Sequence, residues 1–242
     1  MKRLLVIQHT SADYLGLLED HLEGRRIRFQ YVRPFTERGR VPLGAGDFDG
    51  LILLGGGPWG SAGQRDVPTL AREIELTGDF LKRSRPVIGI ELGAQILTLA
   101  AGGSVESTPL QFTVETARRI EDSAFNGFLP EVFPHVSYMR DRPVLPESAV
   151  TLAVDASNRP AIFQLAQTAI GFTGHPGFKP AMAEDLIMEF EESAPDPVPA
   201  LEQLRVQVRA IEDALVPTMT GLVQVTGLMR ARQAIPLSLK PE

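Results

Sequence analysis

Apolar positions along the chain alternate between two spacings. Residues 4–7, 49–54 and 86–90 are short, nearly unbroken apolar runs, as strands buried on both faces are. Residues 27–32 alternate through Ile27, Phe29 and Tyr31 and predict a further strand. Between these runs, residues 14–22 carry Leu15, Leu18 and Leu22 at helical spacing, and residues 67–82 and 96–101 are also helix-forming. Strands alternating with helices predict an α/β fold with an open, mostly parallel twisted sheet flanked by helices.

The second half reads less regularly. Residues 105–107 and 112–119 predict two strands, and residues 122–134 are irregular. Residues 150–154 and 161–165 predict a hairpin around Asn158-Arg-Pro160, and residues 168–173 a last strand. A helix is expected over residues 182–192. A proline-rich linker (Pro195, Pro197, Pro199) precedes an apolar stripe at Leu201, Leu204, Val208, Ile211 and Leu215. Pro217 predicts a break or kink, with a second helical segment to about residue 234. The expected organisation is one domain over residues 1–242, an α/β core over 1–193 and a C-terminal helical extension over 194–242.

The pattern turns sharply at one place. Pro86-Val-Ile-Gly-Ile90 ends in Glu91, and Leu92-Gly-Ala-Gln95 opens a helix. A strand turning directly into a helix is a nucleophile elbow, with the corner residue presented at a helix N-terminus. In open α/β sheets ligands bind beyond the carboxyl ends of the strands. Gly55-Gly-Gly-Pro58 and Glu91 both fall at such ends, so one crevice should hold both.

Composition limits the chemistry. At 242 residues, 43% hydrophobic and 22% charged, the chain suits one sizeable globular domain. A net charge of −6 with scattered basic residues argues against nucleic-acid binding. The apolar run at residues 4–7 is shorter than the roughly 7 residues of a signal-peptide core, and no stretch approaches the ~18 of a membrane helix. A cytoplasmic protein is expected, with no membrane role. There is no cysteine, which removes disulfides, thiolate metal sites and any thiol nucleophile. Glu184, Asp185, Glu189, Glu191 and Glu192 read as a solvated helix face, no His/Asp/Glu spacing suggests a metal, and no cofactor is expected.

Gly89-Ile-Glu-Leu-Gly-Ala-Gln95 resembles the G-I-C-L-G-x-Q elbow of class I glutamine amidotransferases, a flavodoxin-like fold. Asp47 to Pro58 is similar to the family's D-G-L-I-L-x-G-G-P strand and loop. Ala100-Ala-Gly-Gly-Ser-Val105, Leu145-Pro-Glu-Ser-Ala149 and Gly171-Phe-Thr-Gly-His-Pro176 resemble three further motifs in the family's order. The C-terminal helices resemble the tail of free-standing members close to the amidotransferase domain of GMP synthetases. The resemblance implies a Cys-His-Glu triad with Glu91 at the cysteine, His175 at the histidine and Gly177 at the glutamate. It implies that Gln95 holds substrate, and that the Gly56, Gly57 and Leu92 amides form an oxyanion hole.

Three functions follow. One is a protein without glutaminase activity that binds a glutamine-like small molecule or a synthetase or other protein partner. The second is altered acid/base chemistry using Glu91 and His175. The third is an active glutamine amidotransferase with a non-cysteine nucleophile. Glu91 itself reads either as a satisfied surface glutamate or as a recruited acid, base or anion. If it lies beside His175, the His175 pKa should be raised. Trp59 could cap the crevice or pack under the loop. His9 could reach its rim, and His135 falls near where the family carries a histidine-rich loop, with Tyr138 and Gln64 weaker candidates and His21 solvated.

Overall fold

The computed structural model describes residues 1–229. A nine-stranded sheet runs through the molecule in the order β2-β1-β3-β4-β11-β10-β9-β6-β7. Its first part is parallel: β2 (Arg28–Val32), β1 (Arg3–Ile7), β3 (Gly50–Leu53), β4 (Val87–Ile90) and β11 (Ala169–Phe172). Antiparallel strands extend it: β10 (Pro160–Leu165), β9 (Val150–Val154), β6 (Gln111–Arg119) and β7 (Val132–Met139). A separate pair joins β5 (Ser104–Glu106) to β8 (Arg142–Val144). The expected α/β sheet flanked by helices is present.

β1, β3 and β4 are buried almost throughout, because helices cover both faces. α1 (Leu18–Gly24) packs Leu18 and Leu22 on one face with Val6, Ile52 and Ile90. α2 (Leu70–Lys82) and α3 (Leu92–Ala100) put Leu76, Phe80, Ile96 and Leu97 on the other, against Leu5, Leu51 and Val87. α4 (Pro180–Glu189) and α5 (Pro197–Val225) close a third cluster around Tyr138 and Phe178.

Several boundaries differ from the expectation; α4 spans Pro180–Glu189 rather than 182–192, and Pro197 and Pro199, expected in a linker, open α5. α1 starts at Leu18, not at residue 14, and residues 132–134 belong to β7 although they read as irregular. Their pairing to β6 supplies the order that local sequence lacks. Pro217 does not end α5, which continues unbroken to Val225. An internal proline costs about 3 kcal/mol. Burying each Leu-, Ile- or Met-sized side chain contributes about 1.5–3 kcal/mol. Leu204, Ile211, Leu215, Met219 and Leu222 of α5 are all buried, so packing wins. The extension expected beyond residue 229 lies outside the described residues.

Candidate functional site

Four ionisable side chains meet at the carboxyl ends of the central parallel strands. His9 and Asp13 follow β1, Glu91 follows β4, and Glu73 comes from the first turn of α2. All four side chains are buried: Asp13, Glu73 and Glu91 have 0% exposure and His9 has 4%.

Glu91 stands at the junction of β4 and α3 with φ +52° and ψ −110°. A non-glycine residue there is strained and needs its surroundings to hold it. Its amide donates to the Phe172 carbonyl of β11 at 2.8 Å. The Gly93 amide donates to Leu54 O at 3.0 Å, clamping α3 to the end of β3. The backbone at Gly89 and Gly93 approaches so closely that a Cβ on either would collide with neighbouring main chain.

The Glu91 carboxyl points inward. Oε1 accepts the Tyr138 amide proton at 2.7 Å. Oε2 shares its space with Asp13, and a Cβ on Gly55 would strike both carboxyls. Neither Asp13 oxygen, nor Oε2 of Glu91, has a well-aligned donor among the described residues. Burial therefore pushes the Asp13 pKa up to about 7, against the opposing pull of His9. Burial, then the Asp13 charge, holds the Glu91 pKa well above the usual carboxylate range. Two desolvated carboxyls this close cannot both ionise cheaply, so the pair keeps a proton.

The other half of the cluster is ionic. His9 Nδ1 lies 2.9 Å from the Gly55 carbonyl, and Nε2 lies 2.7 Å from Glu73 Oε2. Both partners are acceptors, so both ring nitrogens must carry hydrogen and His9 is an imidazolium. Burial alone would lower its pKa. The Glu73 charge and hydrogen bond, with the Gly55 carbonyl, raise it instead. Glu73 Oε1 accepts from Thr69 Oγ1 at 2.5 Å, and the His9 charge holds the Glu73 pKa below its usual value despite burial.

His175 is arranged differently. Nε2 lies 2.8 Å from the Tyr14 carbonyl, and Nδ1 accepts the Gly177 amide at 3.1 Å. The first partner accepts and the second donates, which fixes the neutral Nε2–H tautomer. Burial lowers the pKa to about 4. Burial thus reverses the expected elevation, and no hydrogen bond joins His175 to Glu91, both ring nitrogens being spent on backbone.

Residues 14–191 match the family model described as glutamine amidotransferase class-I. The chain belongs to the class I glutamine amidotransferase family. Among solved structures, a glutamine amidotransferase from Thermotoga maritima is 24% identical, with a TM-score of 0.75 over 93% of this chain and 98% of that one. One from Methylobacillus flagellatus is 21% identical, with a TM-score of 0.78 over 93% and 95%. A Thermoplasma acidophilum protein, proposed to be one of the subunits of a GMP synthase, is 17% identical, with a TM-score of 0.57 over 88% and 98%. A search of curated proteins finds no match.

The remaining candidates in this amidotransferase-family chain serve mostly as ties. Gln95 is fully buried; Oε1 accepts from Ser61 Oγ at 2.6 Å and Nε2 donates to Arg140 O at 2.7 Å. Leu92 packs its side chain on Gly56, and Leu186 and Phe190 lie over Gly57, so the glycine loop is covered. Trp59 is half-buried, stacks under Arg65 at 5.2 Å, and lines a cavity of about 90 Å³ with His9, Phe35 and Val67. His135 sits on β7, 3.2 Å from Thr173 Oγ1 and 3.5 Å from Glu115. Gln64 is exposed and His21 half-buried. The acidic residues around α4 are not simply solvated: Glu189 accepts from Ser11 Oγ and the Ala12 amide, and Glu192 pairs with Arg65 and Arg140.

Asp13, Glu73, Ser61 and Asp141 are site residues that the sequence did not single out. Asp141 is buried and its carboxylate accepts from the Ser61, Ala62 and Thr108 amides. Among the described residues no group of His, Asp and Glu is placed to hold a metal ion, and no helix is long and apolar enough to cross a membrane.

Proposed function

We propose that this amidotransferase-family protein does not hydrolyse glutamine and acts by binding. On this reading Glu91 occupies the place of the family's nucleophilic cysteine, and Gly177 that of its triad glutamate. The observation that carries it is the absence of any cysteine from a chain whose strand-to-helix corner bears a wholly buried carboxyl. Glutamine hydrolysis through an acyl-enzyme needs a nucleophile that attacks an amide and later leaves. A carboxylate would have to form a mixed anhydride, a high-energy acyl compound. Glu91 also favours its protonated form, which is no nucleophile. Acid/base work by a Glu91–His175 pair lacks support, since His175 is hydrogen-bonded to Tyr14 and Gly177.

The bound species is a glutamine-like small molecule or a protein partner such as a synthetase. The structural neighbour proposed to belong to a GMP synthase supports the partner arm. The deciding experiment is ammonia release from glutamine by the purified chain. None is expected above the level of Glu91→Ala. Turnover of about one per second, abolished by Glu91→Ala, would overturn the proposal in favour of a non-cysteine nucleophile.

A further inference from the structure

We propose that Arg65 and Arg140 form a binding site for a small dianion, held closed by the side chain of Glu192. Arg65 lies in the loop after Trp59, Arg140 directly follows β7, and Glu192 follows the end of α4. The two arginines grip the two oxygens of one carboxylate: Arg65 Nη1 donates to Oε2 and Arg140 Nη2 donates to Oε1. Planar guanidinium donors converging on a planar carboxylate make a recognition geometry.

The grip is incomplete. The Arg140 side chain is only 9% exposed, yet its Nε is buried without a partner among the described residues. A buried donor left unpaired is costly, and another acceptor would relieve it. The adjacent Asp141 makes no hydrogen bond to it; its oxygens accept the Ser61, Ala62 and Thr108 amides. Charge leads to the same conclusion. Two guanidiniums hold the Glu192 carboxylate, with the Asp141 carboxylate beside the Arg140 stem; with Glu192 swung out both guanidiniums lose this partner. A dianion of oxyacid chemistry, such as a dicarboxylate or a phosphate, neutralises both.

Glu192 is built to leave. Its side chain is 41% exposed and lies outside any helix, between α4 and α5. The arginines are built to stay: Arg140 is buried, and Arg65 stacks on Trp59. Arg140 stands two residues beyond Tyr138, whose amide Glu91 holds, and its carbonyl accepts from Gln95, yet anion binding there does not depend on whether glutamine is hydrolysed.

Calorimetric titration of the full chain with glutarate and with inorganic phosphate tests the proposal. Glu192→Gln removes the competing charge and should bind at least one of these about tenfold more tightly than the unaltered protein, a factor worth about 1.4 kcal/mol. Adding Arg65→Gln should reverse that gain; Arg65 is chosen because its side chain is 32% exposed, so its loss spares the fold. Tightening for glutarate identifies a dicarboxylate ligand, and tightening for phosphate alone a phosphate-bearing one; both uphold the site. Binding no tighter in Glu192→Gln, or a gain that survives Arg65→Gln, would reduce the trio to a structural ion pair.

Discussion

Asp13 and Glu91, 78 positions apart in sequence (91 − 13), turn their carboxyls toward each other across the Cα of Gly55. The unfolded Asp13 loses its proton near 3.8, while the folded one keeps it to about 7. Glu91 is shifted in the same direction from 4.5. The folded state therefore binds more protons across this window, and stability falls as pH rises through it. Glu91→Gln retains an acceptor for the Tyr138 amide and offers Asp13 an N–H. Its melting temperature should fall less than that of the unaltered protein between about pH 5 and about pH 8. Parallel melting curves against pH would mean that no proton is shared.

The His9–Glu73 pair should behave as a unit. Removing one partner of a buried pair costs about 3–5 kcal/mol, because the other charge stays behind. His9→Gln and Glu73→Gln should each cost that much, and the double variant less than their sum. The His9 contribution is present below 6.5 and is lost as pH rises through its raised folded value. The Glu73 contribution is present above 4.5 and is lost as pH falls through its lowered value. Additive losses in chemical denaturation would show the two side chains to be independent.

His175 should be silent in the neutral range. Nitrogen NMR should find Nε2 protonated and Nδ1 bare, with titration near pH 4 rather than near 6.5. Its contribution to stability is present above 6.5 and is lost as pH falls through about 4. Glu91→Gln should leave this titration unchanged. A midpoint that moves in the variant would reinstate direct contact between the two side chains.

Placing a glutamate at position 177 should be destabilising. A Cβ on Gly177 would press on the Leu18 side chain and come within 3.1 Å of the Leu17 and Leu18 amides at the start of α1. Overpacking of this kind costs about 1–3 kcal/mol. Undiminished stability of Gly177→Glu in urea would show that the 175–177 loop lifts away from α1.

The parallel core and the corner at Glu91 were legible because their signals are local: unbroken apolar runs, a glycine loop, a charge directly after a strand. The cluster around Glu91 was not. Asp13 and Glu73 lie in ordinary loop and helix sequence, and what makes them unusual is burial beside His9 and Glu91, which only the tertiary fold creates. His175 was marked through the motif it resembles, but its protonation depends on a carbonyl 161 positions away. Pro217 misled because local backbone preference is outweighed by an apolar stripe buried along α5.

The glycines beneath the corner have a consequence for redesign. Gly89 and Gly93 fix the path of β4 into α3 through main-chain contact alone, and neither carries a reactive group. The frame thus specifies where a side chain is displayed without specifying which one. A library randomised only at position 91 should retain the fold across small and medium residues, making this scaffold a host in which one site can be given new chemistry while the remainder is left untouched.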